Sequence, residues 1–171
     1  MLCLLSAPLV ASAHYVTFGG KWYTNNVYFT YTQSTSDNYL SVVRDSAQSW
    51  NSTSVNFLFY DGGVSNAGPI WLLDQSYGAT GWSAITENFN SFGTTCWACT
   101  YYKSKIQIND TYMLTATGPW KHYVIAHELG HTLGLDHANP SHLMSNDGTA
   151  GTVTAPMQHD IDGGTSIYGT K

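Results

Sequence analysis

Eleven consecutive residues, His127-Glu128-Leu129-Gly130-His131-Thr132-Leu133-Gly134-Leu135-Asp136-His137, set three imidazoles, a carboxylate and a glycine at the offsets H-E-x-x-H-x-x-G-x-x-H. His127 and His131 are four apart, so a helix carries them on one face, one turn above the other. Two imidazoles stacked in this way can bind one zinc ion. Glu128 lies about 100° further round the helix, within reach of water at the ion without being a ligand. Gly134 accepts the left-handed backbone of a sharp helix exit, and the returning chain offers His137 as a third ligand. Three protein ligands leave one zinc position open, which marks a catalytic rather than a structural ion. The chain has only two glutamates, Glu87 and Glu128, and one of them falls inside the motif. A buried amphipathic helix with hydrogen-bonded histidines does not explain all of these positions. Asp136 and His142 are the rivals for third ligand, and the glycine-to-ligand offset selects His137. His122 falls off the metal-bearing face and is expected to be exposed; His14 and His159 read as surface residues.

The elements that must position these groups follow from periodicity. Thr117-Gly118-Pro119 opens the motif helix, with proline tolerated in a first turn, and Val124, Ile125 and Leu129 form its apolar complement. Upstream, residues 21–31 alternate as a strand, with Val27, Phe29 and Tyr31 on one face. Residues 37–50 carry Tyr39, Leu40, Val43, Ala47 and Trp50 at helical spacing behind a Ser36-Asp37 N-cap. Further strands are expected at 55–60, closed by Asp61-Gly62-Gly63, at 70–73, at 81–86 as an edge, and at 105–109, where Ile106 and Ile108 share a face. Residues 76–81 and 88–100 read as loops. Residues 136–156 are turn-rich, and 157–168 form a last helix, weakened by Gly163-Gly164 and ending near Gly169. No repeat and no inter-domain linker is visible.

A chain of 171 residues, 43% hydrophobic and 14% aromatic, suits one domain with a real core. Only 10% of residues are charged, and Ser, Thr, Asn, Gly and Tyr take their place, a composition of extracellular proteins. With a net charge of −5 and six Lys plus Arg in no cluster, nucleic acid is excluded as a partner. Residues 1–13 read as the remnant of a secretion signal, with Ala11-Ser12-Ala13 as the small-x-small cleavage pattern, and 14–171 as the single domain. No run reaches the ~20 apolar residues of a membrane span, so a secreted monomer with no stable membrane association after signal removal is expected. Cys3 falls in the leader. Cys96 and Cys99 are expected to form a local disulfide that mainly fixes loop shape.

The motif followed by Ser141-His142-Leu143-Met144 resembles the metzincin metalloproteases, in which a methionine turn passes beneath the zinc-binding histidines; Met144 is the matching residue. Lys21-Trp22 before a strand, Trp50 closing the first helix, and Ile167-Tyr168-Gly169 at the end resemble the matrixin, or matrix-metalloprotease-like, branch in a minimal microbial form. The resemblance implies an α+β fold: a twisted, mostly parallel five-stranded mixed sheet with one antiparallel edge strand, two helices above the cleft, and a small C-terminal subdomain with the Met-turn and a last helix. It implies a zinc endopeptidase with one catalytic Zn2+, Glu128 as general base and then acid, and an extended protein or peptide substrate paired with the edge strand 81–86. A primed-side pocket wall is expected from residues 149–156. Ile85 stands near where the branch carries a histidine for a second zinc, so one zinc is expected. Asn146, not tyrosine, lies two positions after Met144, so no tyrosine ligand is expected. Calcium is the further ion the resemblance allows, at Asp61, Asp74 and Asp110, but these lack the close acidic spacing of a dedicated loop and read as solvated loop carboxylates. The alternative is a secreted, zinc-stabilised binding or adhesion module without turnover, against which Glu128 and the lack of a nearby fourth ligand both argue.

Overall fold

Strand alternation builds one covered face. The computed structural model describes residues 15–32, 39–138, 140–146 and 153–171; the leader at 1–13, His14, the Ser36-Asp37 cap and residues 149–152 of the pocket wall lie outside them. After β1 (Lys21–Trp22), β2 (Asn26–Thr32) buries Val27, Phe29 and Tyr31 and leaves Tyr28 at solvent. Then follow α1 (Leu40–Asn51), β3 (Leu58–Val64), β4 (Ile70–Gln75), β5 (Ala84–Phe89), β6 (Thr100–Tyr101), β7 (Lys103–Asn109), α2 (Asp110–Met113), α3 (Gly118–Thr132) and α4 (Gln158–Tyr168). The main sheet runs β3-β2-β4-β7-β5, and every pair is parallel except β5 with β7. β1 and β6 make a separate parallel pair. Among the described residues the protein is thus mixed α+β, with a five-stranded mixed sheet and four helices, in the expected class.

The inward residues Ile70 and Leu72 of β4 and Ile106 and Ile108 of β7 are fully buried, each such side chain stabilising the fold by about 1.5–3 kcal/mol. α1 and α3 pack together over this core, with Val43, Ala47 and Trp50 of α1 buried. The Trp50 indole N–H donates to the Ala126 carbonyl at 2.9 Å, tying α1 to the middle of α3.

Several boundaries differ from expectation. β3 does not stop at Asp61-Gly62-Gly63 but runs through them, with a register shift against β2 between Phe29 and Tyr31. Gly62 is needed there because a Cβ would stand 2.8 Å from the Phe29 carbonyl oxygen. The 88–100 loop is shorter than expected, since β5 takes Asn88 and Phe89 and β6 takes Thr100. α2 has too few residues to show a period; the Asn109 side chain caps it by accepting from Thr111 N at 3.1 Å. Gly163-Gly164 is a contact rather than a weakness. A Cβ on Gly163 would lie 2.8 Å from Leu135, and one on Gly164 2.7 Å from Val55. No helix among the described residues is long and apolar enough to cross a membrane.

Candidate metal centre

Thr117 caps α3, its side chain accepting from Trp120 N, and Pro119 occupies the first turn. Residues Tyr123 to Thr132 are all buried, because α1, the sheet edge and the Met144 turn pack around the helix. His127 and His131 project from this fixed rod. His137 joins them from the loop beyond it, and the ligand nitrogens of the three lie within 4.8 Å of one another, so the three histidines can hold a metal ion. His137 is exposed while the other two are buried.

The tautomers of two ligands are set by carbonyls, which can only accept. His127 Nδ1 lies 2.7 Å from Leu143 O, and His131 Nδ1 lies 2.8 Å from Leu135 O. Each Nδ1 therefore carries the proton and donates, leaving Nε2 with a bare lone pair. This is the outer support that orients metal-binding histidines. Burial lowers the His127 pKa to about 4, against the raising effect of its bond to Leu143. Burial, then neighbouring His127, holds His131 well below the ordinary range. Both rings are neutral and ready to coordinate at neutral pH.

The third ligand depends on the first described segment of the chain. Gly134 has φ +92°, and a Cβ there would also collide with the Gly20 carbonyl. Phe18 N donates to Gly134 O and Asp136 N to Val16 O, both at 2.9 Å, around a Thr17–Leu135 bridge. Asp136, the sequence rival, instead accepts from His137 N at 2.6 Å and so caps the ligand backbone. His142 lies outside the cluster, with its ring 4.4 Å from that of His159.

Glu128 is buried beside the three rings. The Thr86 hydroxyl on β5 lies 2.6 Å from Glu128 Oε2 and 3.1 Å from the Glu128 carbonyl. Its single proton goes to the nearer, charged acceptor and fixes the carboxylate rotamer. With no cation beside it, burial raises the Glu128 pKa to about 7, partly offset by the Thr86 bond. Asn88, also on β5, donates to His131 O at 3.0 Å and accepts from Ser104. The edge strand and the motif helix are thus joined by polar contacts where an apolar core would leave the carboxylate unheld.

Met144 is buried directly under α3, against Gly130, where a Cβ would overlap its sulfur. The turn that carries it is held from three sides. Asp160 of α4 accepts from Leu143 N and Met144 N at 3.2 Å and from Met157 N at 2.8 Å. The Tyr123 hydroxyl donates to Ser145 O at 2.6 Å, and Ala138 N donates to Met144 O at 2.7 Å. Two open hollows of about 290 Å³ each flank the histidines along β5. One is walled by Trp82, Trp120, Tyr123, Ser145 and Asn146. The other is walled by Phe18, Ile85 and Trp97. Of the expected wall at 149–156, residues 149–152 lie outside the described residues and 153–156 do not line the first hollow, where Tyr123 and Ser145 stand.

Thr86, Asp160, Tyr123 and Phe18 were not legible as site residues. Asp160 had one available signal, an acid at the third position of a helix, where a capping carboxylate reaches back to the cap N–H. Other expectations need correction. His122 is half-buried rather than exposed. His159 is no free surface residue: it is half-buried, and its Nδ1 is buried with no hydrogen-bond partner among the described residues. Asp74 and Asp110 are not solvated loop carboxylates. Asp74 is on β4 and fully buried beside the Tyr31 hydroxyl, whose pKa is driven up mainly by burial. Asp110 starts α2 and accepts from the Tyr39 hydroxyl at 3.0 Å. Asp61 lies on β3 and is paired with Arg44 at 2.5 Å on the surface. Cys96 and Cys99 are joined as expected.

No family model matches the chain, and a search of curated proteins finds no match to it.

Proposed function

We propose that this chain is a secreted zinc-dependent endopeptidase of the metzincin type, closest in pattern to the matrixin branch. The observation that carries the reading is the pairing of three convergent imidazole nitrogens with a buried carboxylate that is oriented by Thr86 yet is not one of the ligands. The donor set suits zinc: three neutral nitrogens, two of them with tautomers fixed by carbonyls, and no fourth His, Cys, Asp or Glu in the group among the described residues. Zinc held there supplies a Lewis acid for a scissile carbonyl and lowers the pKa of water toward neutrality.

The chain's own groups supply the remainder. Glu128 accepts a proton from the attacking water at its carboxylate and delivers it to the leaving amine. The Thr86 hydroxyl keeps that carboxylate aimed at the cleft while burial keeps its proton affinity high. β5 is the outermost strand; its end at Asn88 and Phe89 is paired with Thr95 and Cys96, and the stretch before it, Ala84 to Thr86, offers backbone donors and acceptors to an extended peptide. The Met144 turn packs under the helix at Gly130 and holds His127 through the Leu143 carbonyl, while the Leu135 carbonyl holds His131.

Glu128→Gln preserves shape and removes the base. The expected result is normal zinc stoichiometry with peptide hydrolysis at or below a few per cent of wild type. A variant that binds zinc and still turns over peptide would remove Glu128 from this role. Wild-type, zinc-loaded protein that cuts no casein, gelatin or library peptide would overturn the endopeptidase reading in favour of a binding module.

A further inference from the structure

The tetrapeptide Cys96-Trp97-Ala98-Cys99, closed by its disulfide, is docked on the chain segment that precedes β1. Lys21 N donates to Cys99 O at 3.0 Å, and the Tyr101 hydroxyl donates to the Trp97 carbonyl. Gly20 permits this approach, because a Cβ there would run into that same carbonyl and the Tyr101 ring. The parallel β1–β6 pair continues the junction. Two separate stretches are thereby locked together, and each presents an aromatic ring to the cleft. Phe18 and Trp97 have ring centroids 4.4 Å apart and lie 5.6 and 6.5 Å from the ring of His131.

Trp97 remains 37% exposed and Ile85 39% exposed. A folding core would bury such groups; here they face the second hollow beside the histidines. No lysine or arginine lines that hollow, and its carboxylates are Glu128 and Asp136. The disulfide therefore holds a solvent-facing indole in one place at the rim of the metal centre.

We infer that the Cys96–Cys99 loop is a specificity element: Phe18, Trp97 and Ile85 form a subsite for a large uncharged apolar side chain, aromatic or branched aliphatic, of a peptide lying along β5. This subsite lies across the metal centre from the Tyr123 hollow, so it reads a residue on the other side of the scissile bond. The inference rests on the endopeptidase reading. Apolar walls favour such a side chain over glycine through the surface removed from water. Prefixing the loop with a disulfide lowers the ordering cost on binding, because the indole is already placed.

The test is a peptide-library digest by zinc-loaded wild type, Trp97→Ala, and the double variant Cys96→Ser, Cys99→Ser. Wild type is expected to prefer Phe, Leu or Ile over Gly at one position. In Trp97→Ala the Phe-to-Gly ratio of kcat/KM at that position falls roughly tenfold or more, while ratios at other positions hold. The double variant moves the same ratio in the same direction by a smaller factor. A uniform loss of rate with that ratio preserved, or an unchanged profile, overturns the inference and leaves the endopeptidase assignment standing. Absence of any cleavage by wild type removes that assignment, and the subsite with it.

Discussion

Removing the carboxylate of Asp160 should loosen the metal centre from a distance. Asp160 acts on the turn rather than on a histidine, accepting from Leu143 N, Met144 N and Met157 N. The Leu143 carbonyl is in turn what orients His127. In Asp160→Ala all three amides lose a charged acceptor inside a site that is 2% exposed. A buried amide left unpaired costs about 1–3 kcal/mol, and partial rehydration near Met157 brings the total to about 3–5 kcal/mol, among the larger single-site effects. Asp160→Asn is milder. Oδ2 serves both Leu143 N and Met157 N, so the amide oxygen can keep those two bonds and set its NH2 against Met144 N alone; that costs about 1–3 kcal/mol. Thermal unfolding of the metal-free proteins gives the order wild type, Asn, Ala, with Ala lower by about 10 °C or more. Zinc affinity, measured by chelator competition, should drop in the same order by roughly 10- to 100-fold, the usual effect of losing a support behind a ligand. If Asp160→Ala unfolds within about 2 °C of wild type and holds zinc within a factor of about two, the turn does not position His127 and the reasoning fails.

Two further outcomes concern protons and metal. In the metal-free chain His127 is neutral by burial, with a pKa of about 4, so it contributes stability above the unfolded value of 6.5 that is lost as pH falls to 4. Glu128, raised from 4.5 to about 7, does the reverse: its contribution is full below 4.5 and is lost as pH rises through 7. Each is worth about 3 kcal/mol, so they nearly cancel, and His131, lowered like His127, decides a net loss on acidification. Metal-free Glu128→Gln lacks the compensation and should lose about 3 kcal/mol more than wild type between pH 7 and 4.5, measured by denaturant titration; equal slopes would contradict a buried, proton-binding Glu128. Stripping zinc with a chelator should abolish hydrolysis and lower the unfolding temperature, since free metal at about 100 times its Kd stabilises by about 2.7 kcal/mol. Restoration by zinc and not by calcium completes that test.

The site was legible to the extent that its members share one short segment. His127, Glu128, His131, Gly134 and His137 could be read because a helix and its exit fix their relative directions. The strands were legible where alternation was clean, as in Val27, Phe29 and Tyr31. The supports came from elsewhere in the chain: Thr86 from the edge strand, Asp160 from the last helix, Phe18 from the segment before β1. Their roles depend on which elements become neighbours, and periodicity carries no information on that. Asp74 and Asp110 were misread for the same reason. A carboxylate beside Gln or Asn looks solvated until the fold sets tyrosine hydroxyls over it. Gly62, Gly163 and Gly164 looked like breaks because a glycine that admits a neighbouring backbone or side chain is spelled like one that bends a turn.

The three-histidine cluster is braced by segments far apart in the sequence. Two imidazoles ride on one helix, but the loop bearing His137 is zipped to residues 16–18, and the turn beneath is clamped by α4. With either contact undone, α3 would still carry two imidazoles, but the brace on the third, or on the turn that orients His127, would be gone. Metal affinity would then report on the whole fold: a variant that frees α4 or the strand contact at residues 16–18 should weaken the hold on an ion without touching a ligand.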